Sequence, residues 1–296
     1  TGIAPPKTAK AGISTIGGYT AEMHWYFAGL DIKEKVEMFK TQAMHYFDLS
    51  KFRQLSFDTY GSVAEDPKNQ REATVHLRVF AQANEKETLE PKNFLYVLLN
   101  NTMQTYPGAT CNYDFRLTLP REFIEYWPTL LNIQEIEQKL HLEDGRIIEI
   151  QPAAVTCESS YPVEHYDSDE LYDENAFGET VYAPLGTLVY ARSGDKFTNS
   201  NVGFFVTEED EWKWLKSLLS TAKLRELLGE DDIGGVIERV EFKNIYAVHF
   251  LNRCLLGKGA ASTSSYDCLG KNVAEYLRCK KVNIPKKFLE RRSLLS

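Results

Sequence analysis

The chain has 296 residues, enough for one large or two ordinary domains, and its 43% hydrophobic and 26% charged content is that of a soluble globular protein. A net charge of −8 argues against nucleic acid as the main partner, since phosphate binding needs a basic face. No apolar run approaches the roughly 20 residues of a membrane helix, and no signal-peptide pattern is present, so a cytoplasmic protein without a membrane partner is expected. The five cysteines, Cys111, Cys157, Cys254, Cys268 and Cys279, are odd in number and form no C-x-x-C. They read as reduced thiols, with neither a disulfide framework nor a metal site. The chain starts at Thr1 with Pro5-Pro6 close behind, which leads to the expectation of a portion of a longer or processed protein.

In chain order, residues 20–29 alternate. Ala21, Met23, Trp25 and Phe27 share one face and Glu22, His24 and Tyr26 the other, the pattern of a half-buried strand. Asp31 is expected to cap a helix, with Glu34 three residues on, and Ile32, Val36, Phe39, Ala43 and Phe47 follow at helical spacing. Strands are expected over 53–60 and 73–82, a helix over about 92–105, and a strand over 109–117. The order βαββαβ is the split unit of the ferredoxin-like fold, with both helices on one sheet face. Residues 121–150 are mixed, with a β piece at 146–150. Residues 151–180 are acidic and turn-rich and read as a linker, or as a docking segment for a basic partner.

A second α+β unit begins near Tyr182. Two strand pieces flank a polar loop, Arg192 to Asn201. Thr207 and Asp210 form a T-x-x-D helix start. Trp212, Leu215, Leu219, Leu224, Leu227 and Leu228 make its apolar stripe, and Gly229 suits its stop. Strands are expected at 236–243 and 245–251, a polar loop at 257–266 and a helix from about 268 to 279. The basic tail K-K-F-L-E-R-R reads as solvated. The fold class is therefore α+β: two ferredoxin-like sandwich units, residues 1–150 and 181–296, joined by an acidic linker, residues 151–180.

No dinucleotide fingerprint, P-loop, nucleophile elbow or zincin motif is present, and no cofactor or metal is expected. Three constellations remain. In the first, Arg192, Asp195, Lys196, Asn199 and Asn201 surround Ser193 and Gly194, which permits a backbone conformation that other residues resist. Such a loop either holds a carboxylate or phosphate or satisfies its own backbone. In the second, S-T-S-S-Y-D-C-L-G-K-N precedes the last helix, where Asp267 either caps that helix or joins Lys271 around an anion. The 192–201 and 262–271 loops are expected to meet. In the third, a ferredoxin-like sheet puts His24 and Glu22 on the helix-free face with His76 and Arg78, either as an acid–base group or as a plain polar surface. Tyr26, Tyr60 and Phe80 join that face, which is expected to be covered by another chain or by the second unit.

Several stretches together resemble the acyclic terpene utilisation (AtuA-like) family: A-R-S-G-D-K with N-V-G-F-F-V, G-L-D-x-x-E-K, F-A-Q-A at 80–83, M-Q-T-Y-P-G-A-T at 103–110 and E-Y-W-P-T-L-L at 125–131. The ending S-Y-D-C-L-G-K-N-V-A-E-Y-L, then V-N-I-P-K-K-F-L-E-R, looks like the fungal members. The resemblance implies that 181–285 is the family's C-terminal ferredoxin-fold domain and 1–150 the latter part of its main domain. It further implies an N-terminal, Rossmann-like half that completes the protein, and bacterial relatives tied to citronellol and geraniol breakdown through acyl-CoA intermediates. Phe197 stands where the family usually has glycine after S-G-D-K. The function expected is assistance in the catabolism or processing of acyclic isoprenoid acids or their CoA thioesters, with a non-catalytic scaffold or assembly subunit as the alternative. Arg192, Asp195, Lys196, Asn199, Asn201, Asp267 and Lys271 are the candidate ligand contacts. A small anionic ligand, a homo-oligomer, and either the N-terminal half or another chain on the open sheet face are the expected partners.

Overall fold

The alternating stretch at 20–29 belongs to a strand more than twice as long, β1 (Thr8–Ala28). A computed structural model describes residues 4–102, 106–158, 165–168 and 172–293. The chain divides into two compact units, Ser14–Glu125 and Thr1–Ile13 with Tyr126–Ser296.

In the first unit β1 is followed by α1 (Ile32–Tyr46), β2 (Phe52–Tyr60), β3 (Thr74–Ala83), α2 (Leu95–Leu99) and β4 (Ala109–Cys111). The sheet order is β2-β3-β1-β4, all antiparallel, with β5 (Arg121–Asn132) also paired to β1. This is the ferredoxin-like arrangement that the βαββαβ order predicts. Ala21, Met23, Trp25 and Phe27 pack with Val36, Phe39 and Ala43 of α1 and Leu95 and Leu98 of α2, so both helices cover one face. Asp31 departs from expectation: it holds the N-cap place of α1 in the left-handed region, at φ +58°, and its side chain makes no capping bond. The second helix is shorter than the expected 92–105, because Asn101 bonds the Val97 carbonyl and competes with the helical pattern. Its expected end at 103–105 lies outside the described residues. The strand at 109–117 stops at Cys111, where Asn112 and Asp114 accept N–H groups two residues on and turn the chain.

The other unit begins its own strands with a hairpin, β6 (Gln138–His141) and β7 (Ile147–Ile150), every residue of which is exposed. After β8 (Thr180–Pro184) come β9 (Tyr190–Lys196), β10 (Asn199–Phe205), α3 (Glu209–Leu218), α4 (Thr221–Leu228), β11 (Ile237–Phe242), β12 (Ala247–Asn252) and α5 (Val273–Cys279). Then β13 (Lys281–Pro285) pairs with β8, and α6 (Lys286–Ser293) ends the described chain. The four-stranded sheet runs β11-β12-β10-β9, again antiparallel. This is the ferredoxin-like order with one change of connectivity. The edge place that a strand after α5 would take is filled by β9, which precedes β10 as its hairpin partner. Val202, Phe204, Val248 and Phe250 face a core that includes Trp212, Trp214, Leu215, Leu224 and Leu277.

Four expectations change here. The single apolar stripe of 212–228 is two helices, broken at Leu219 and restarted by Ser220, whose hydroxyl accepts the Lys223 N–H at 3.1 Å. Neither Thr207 nor Asp210 caps α3; Glu208 holds that place without a side-chain bond, while Asp210 receives the Arg291 guanidinium at 2.6 Å. The basic tail is therefore not solvated: it forms α6, with Phe288 wholly buried in the core. Its last residues, 294–296, lie outside the described set. Part of the acidic stretch is also docked. The Tyr166 N–H donates to the Arg239 carbonyl, the Arg239 N–H to His165 Nδ1, and Asp167 accepts from the Thr221 N–H. Residues 159–164 and 169–171 of that stretch lie outside the described residues. Arg239, fully buried, donates to the Leu219 and Lys216 carbonyls and pairs with Glu241 at 2.8 Å, so its charge serves the helix ends it joins. Among the described residues no helix is long and apolar enough to cross a membrane.

Candidate functional site

The polar run at 192–201 is not an open loop. Asn199 pairs with Lys196, Ser200 with Asp195 and Asn201 with Gly194, which leaves only Phe197 and Thr198 in the turn. Phe197 has φ +63°, as the first central position of a primed hairpin turn requires, and this is where glycine would sit without strain. Its ring packs edge-on against Tyr126, centroids 5.3 Å apart.

Side chains on a strand alternate between faces, and directly paired residues share one. Ser200, Val202 and Phe204 are buried toward the helices. Asn199, Asn201, Gly203 and Phe205 therefore lie on the helix-free face, and so do their partners Lys196, Gly194, Arg192 and Tyr190. Gly203 pairs on its other side with His249, which joins them. Asp195 pairs with Ser200 and belongs to the opposite face.

Glycine at 194 serves close approach, not an unusual conformation, since its φ is not positive. A methyl group placed there would lie 3.0 Å from Lys271 Nζ and 3.4 Å from Asn201 Oδ1. Gly270, at φ +61°, lies against it: a Cβ there would meet the Gly194 carbonyl at 3.2 Å. The two loops meet as expected. The Ser193 hydroxyl accepts the Ala274 N–H at 2.9 Å and donates to the Lys271 carbonyl at 3.3 Å. The edge strand thus caps the first turn of α5, and the chain ahead of α5 wraps over it at Gly194. Lys271 is carried round to the helix-free face.

The remaining candidates are occupied with structure. Asp267 accepts the Lys271 N–H at 2.7 Å and the Asn272 N–H at 3.0 Å. Asn199 Oδ1 accepts the Cys254 N–H at 3.0 Å. Lys196 donates to the backbone carbonyl of Asp195, not to its carboxylate. The structure brings Arg192, Lys196, Asn201 and Lys271 to one face, and among the described residues none of the three cations has a carboxylate partner. Burial, with Lys196 adding to it, pushes the pKa of His249 below its ordinary value. His249 was missed in the sequence; its place opposite Gly203 follows from strand register, which no motif encodes.

On the first sheet, strand register gathers the third constellation as expected. His24 Nδ1 and His76 Nε2 are 2.8 Å apart, one hydrogen bond between two imidazoles. The His76 ring also stacks with Tyr26 at 5.4 Å and Tyr60 at 5.6 Å. Beside them Arg78 is bonded to Glu22 at 2.5 Å and lies over the Phe80 ring at 4.7 Å. Burial is the main cause that lowers the pKa of both histidines. Tyr26 and Tyr60 are half-buried and Phe80 is buried.

Comparison with known families supports a ferredoxin-like domain in the second half of the chain. The acyclic terpene utilisation family protein AtuA matches over residues 1–142, and the AtuA ferredoxin-like domain over residues 183–283. No curated protein and no solved structure matches. The domain match lies on the strands that carry Arg192, Lys196 and Asn201 and on the loop that carries Lys271. The chain belongs to the AtuA-like family, and membership implies a role in acyclic terpene utilisation.

Proposed function

We propose that this chain assists the catabolism or processing of acyclic isoprenoid acids or their CoA thioesters, and that the helix-free face of its second sheet holds the ligand's anionic group. The observation that carries this reading is the Lys271 ammonium poised over Gly194, next to the Asn201 amide and on the face of Arg192 and Lys196. Cations without carboxylate partners, on a rigid strand pair, meet a carboxylate or phosphate with little reorganisation. Charge-assisted hydrogen bonds of this kind contribute about 1.5–3 kcal/mol each. The test is calorimetric titration with an acyclic isoprenoid acid and with its CoA thioester. Lys271→Ala weakens binding about tenfold or more. Gly194→Ala, which leaves every charge in place but pushes the ammonium aside, weakens it as well. Wild-type affinity in both variants overturns the reading.

A second role, as an assembly subunit, has its own support. In the β6–β7 hairpin Leu140, Ile148 and Ile150 share one face, each 46% exposed. A two-stranded hairpin alone is marginal in water, so an apolar face of this kind favours a partner. Light scattering of the wild type and of a Leu140→Lys, Ile148→Lys variant tests it: an unchanged mass removes this reading.

A further inference from the structure

The first unit contains a hollow that neither sheet face uses. Its walls are Leu30, Ile32, Val36, Val63 and Val75, and its volume is about 530 Å³. That lies in the range of small-molecule pockets, which are mostly apolar. The walls come from the first turn of α1, the start of β3 and the chain just after β2, so the hollow is built on scaffold elements and is already open. At its edge Asp31, Lys33 and Glu37 are exposed, two carboxylates against one ammonium, so the rim does not favour an anionic head group. Leu30 stands at the lip with 81% of its surface exposed, a cost in water that a hydrocarbon laid beside it would remove. Beyond Leu30 a second hollow of about 590 Å³ continues the apolar surface along Met38, Tyr106 and Pro107.

We propose that the hollow beside Leu30 binds the hydrocarbon chain of an aliphatic ligand. Its chemistry is complementary to apolar chains, whereas the cationic face of the second sheet is complementary to anions. The proposal rests on the shape and lining of this hollow and stands whether or not that face binds anions.

The experiment uses neutral straight-chain alcohols of about four to ten carbons, which carry no group for the cationic face, titrated into the whole chain. Affinity should rise about fourfold with each added methylene until the hollow is filled. Amide resonances of Gly29, Gly61 and Val75 should move with the titration. Val63→Trp, in a loop, fills the hollow and should weaken the longest alcohol at least tenfold. Thr59→Trp, at an exposed strand position, gives a second filling variant, and circular dichroism reports whether each keeps its fold. Lys271→Ala should leave alcohol binding within twofold. An affinity indifferent to chain length, resonance shifts confined to other residues, or wild-type binding in a natively folded Val63→Trp overturns the proposal. A loss of acid binding in Lys271→Ala with alcohol binding retained separates this site from the anion-holding face.

Discussion

The two sheets share a strand order but treat charge on their helix-free faces in opposite ways. On the first, Arg78 is buried against Glu22, with Arg121 reaching the same carboxylate at 3.5 Å, and the histidines bond each other. On the second, Arg192, Lys196 and Lys271 have no carboxylate partner among the described residues, and Glu238 on the same face is already paired with Arg253 at 2.5 Å. A face whose charges are neutralised within the fold supports stability and has little left for a ligand. A face of solvated cations adds little to stability, since exposed charges are well screened, and keeps its capacity to bind. Burial, not residue type, separates a structural charge from one available to a ligand.

Arg78 is where the contrast between the two faces should show most in stability. With Arg78→Met the Glu22 carboxylate loses its closest cation in a half-buried place. The expected loss is about 2–4 kcal/mol, read from urea unfolding, and Lys271→Ala measured alongside should cost less than about 1 kcal/mol. Equal losses from the two would erase the distinction.

Next in size is the clasp that carries Lys271. Ser193→Ala removes the hydroxyl that accepts the Ala274 N–H and should cost about 1 kcal/mol in the same assay. It should also weaken anion binding, because the segment that presents Lys271 loses its anchor. A variant as stable as wild type would show that the edge strand does not hold α5.

The histidine pair ties the stability of the first face to pH. Both folded-state pKa values lie below the ordinary 6.5, chiefly through burial. The unfolded chain then binds more protons than the folded one as pH falls past 6.5. The pair's contribution to stability is complete above 6.5 and is lost as pH drops through the lowered folded values. Thermal midpoints measured from pH 7.5 to 5 should fall more steeply in wild type than in a His24→Gln, His76→Gln variant. Parallel curves would remove the pair from the list of structural groups. Each single substitution should leave any catalytic rate of the protein within about tenfold, as expected of structural histidines.

The smallest effect is at His249. Lys196→Ala takes away one of the two causes that hold its pKa down, so the imidazole titration followed by NMR should move upward. An unmoved titration would mean that the cationic potential on this face comes from elsewhere.

Much of this was legible in the residues. The alternation of Ala21, Met23, Trp25 and Phe27 against Glu22, His24 and Tyr26 set the faces of β1, and the βαββαβ order set the first sheet. Both signals are local and periodic, and hydrophobic burial enforces them. The same logic carried the leucine stripe of α3 and α4, whereas the approach of the two polar loops was expected because their charged groups need partners. What the chain alone left open depended on pairing between distant segments. A strand has no memory of which edge it will join, so the place of β9 beside β10 came from its tight hairpin, and with it the face of each of its residues. Lys271 reads as a candidate anion contact with no assigned face until Gly194 and Gly270 let two backbones touch and turn its ammonium over the sheet. The tail around Phe288 reads as solvated until Asp210 and Glu211 supply partners for Arg291 and Arg292. Local periodicity fixed which side of each element is apolar; long-range contact decided which polar groups were neutralised and which were left to meet a ligand.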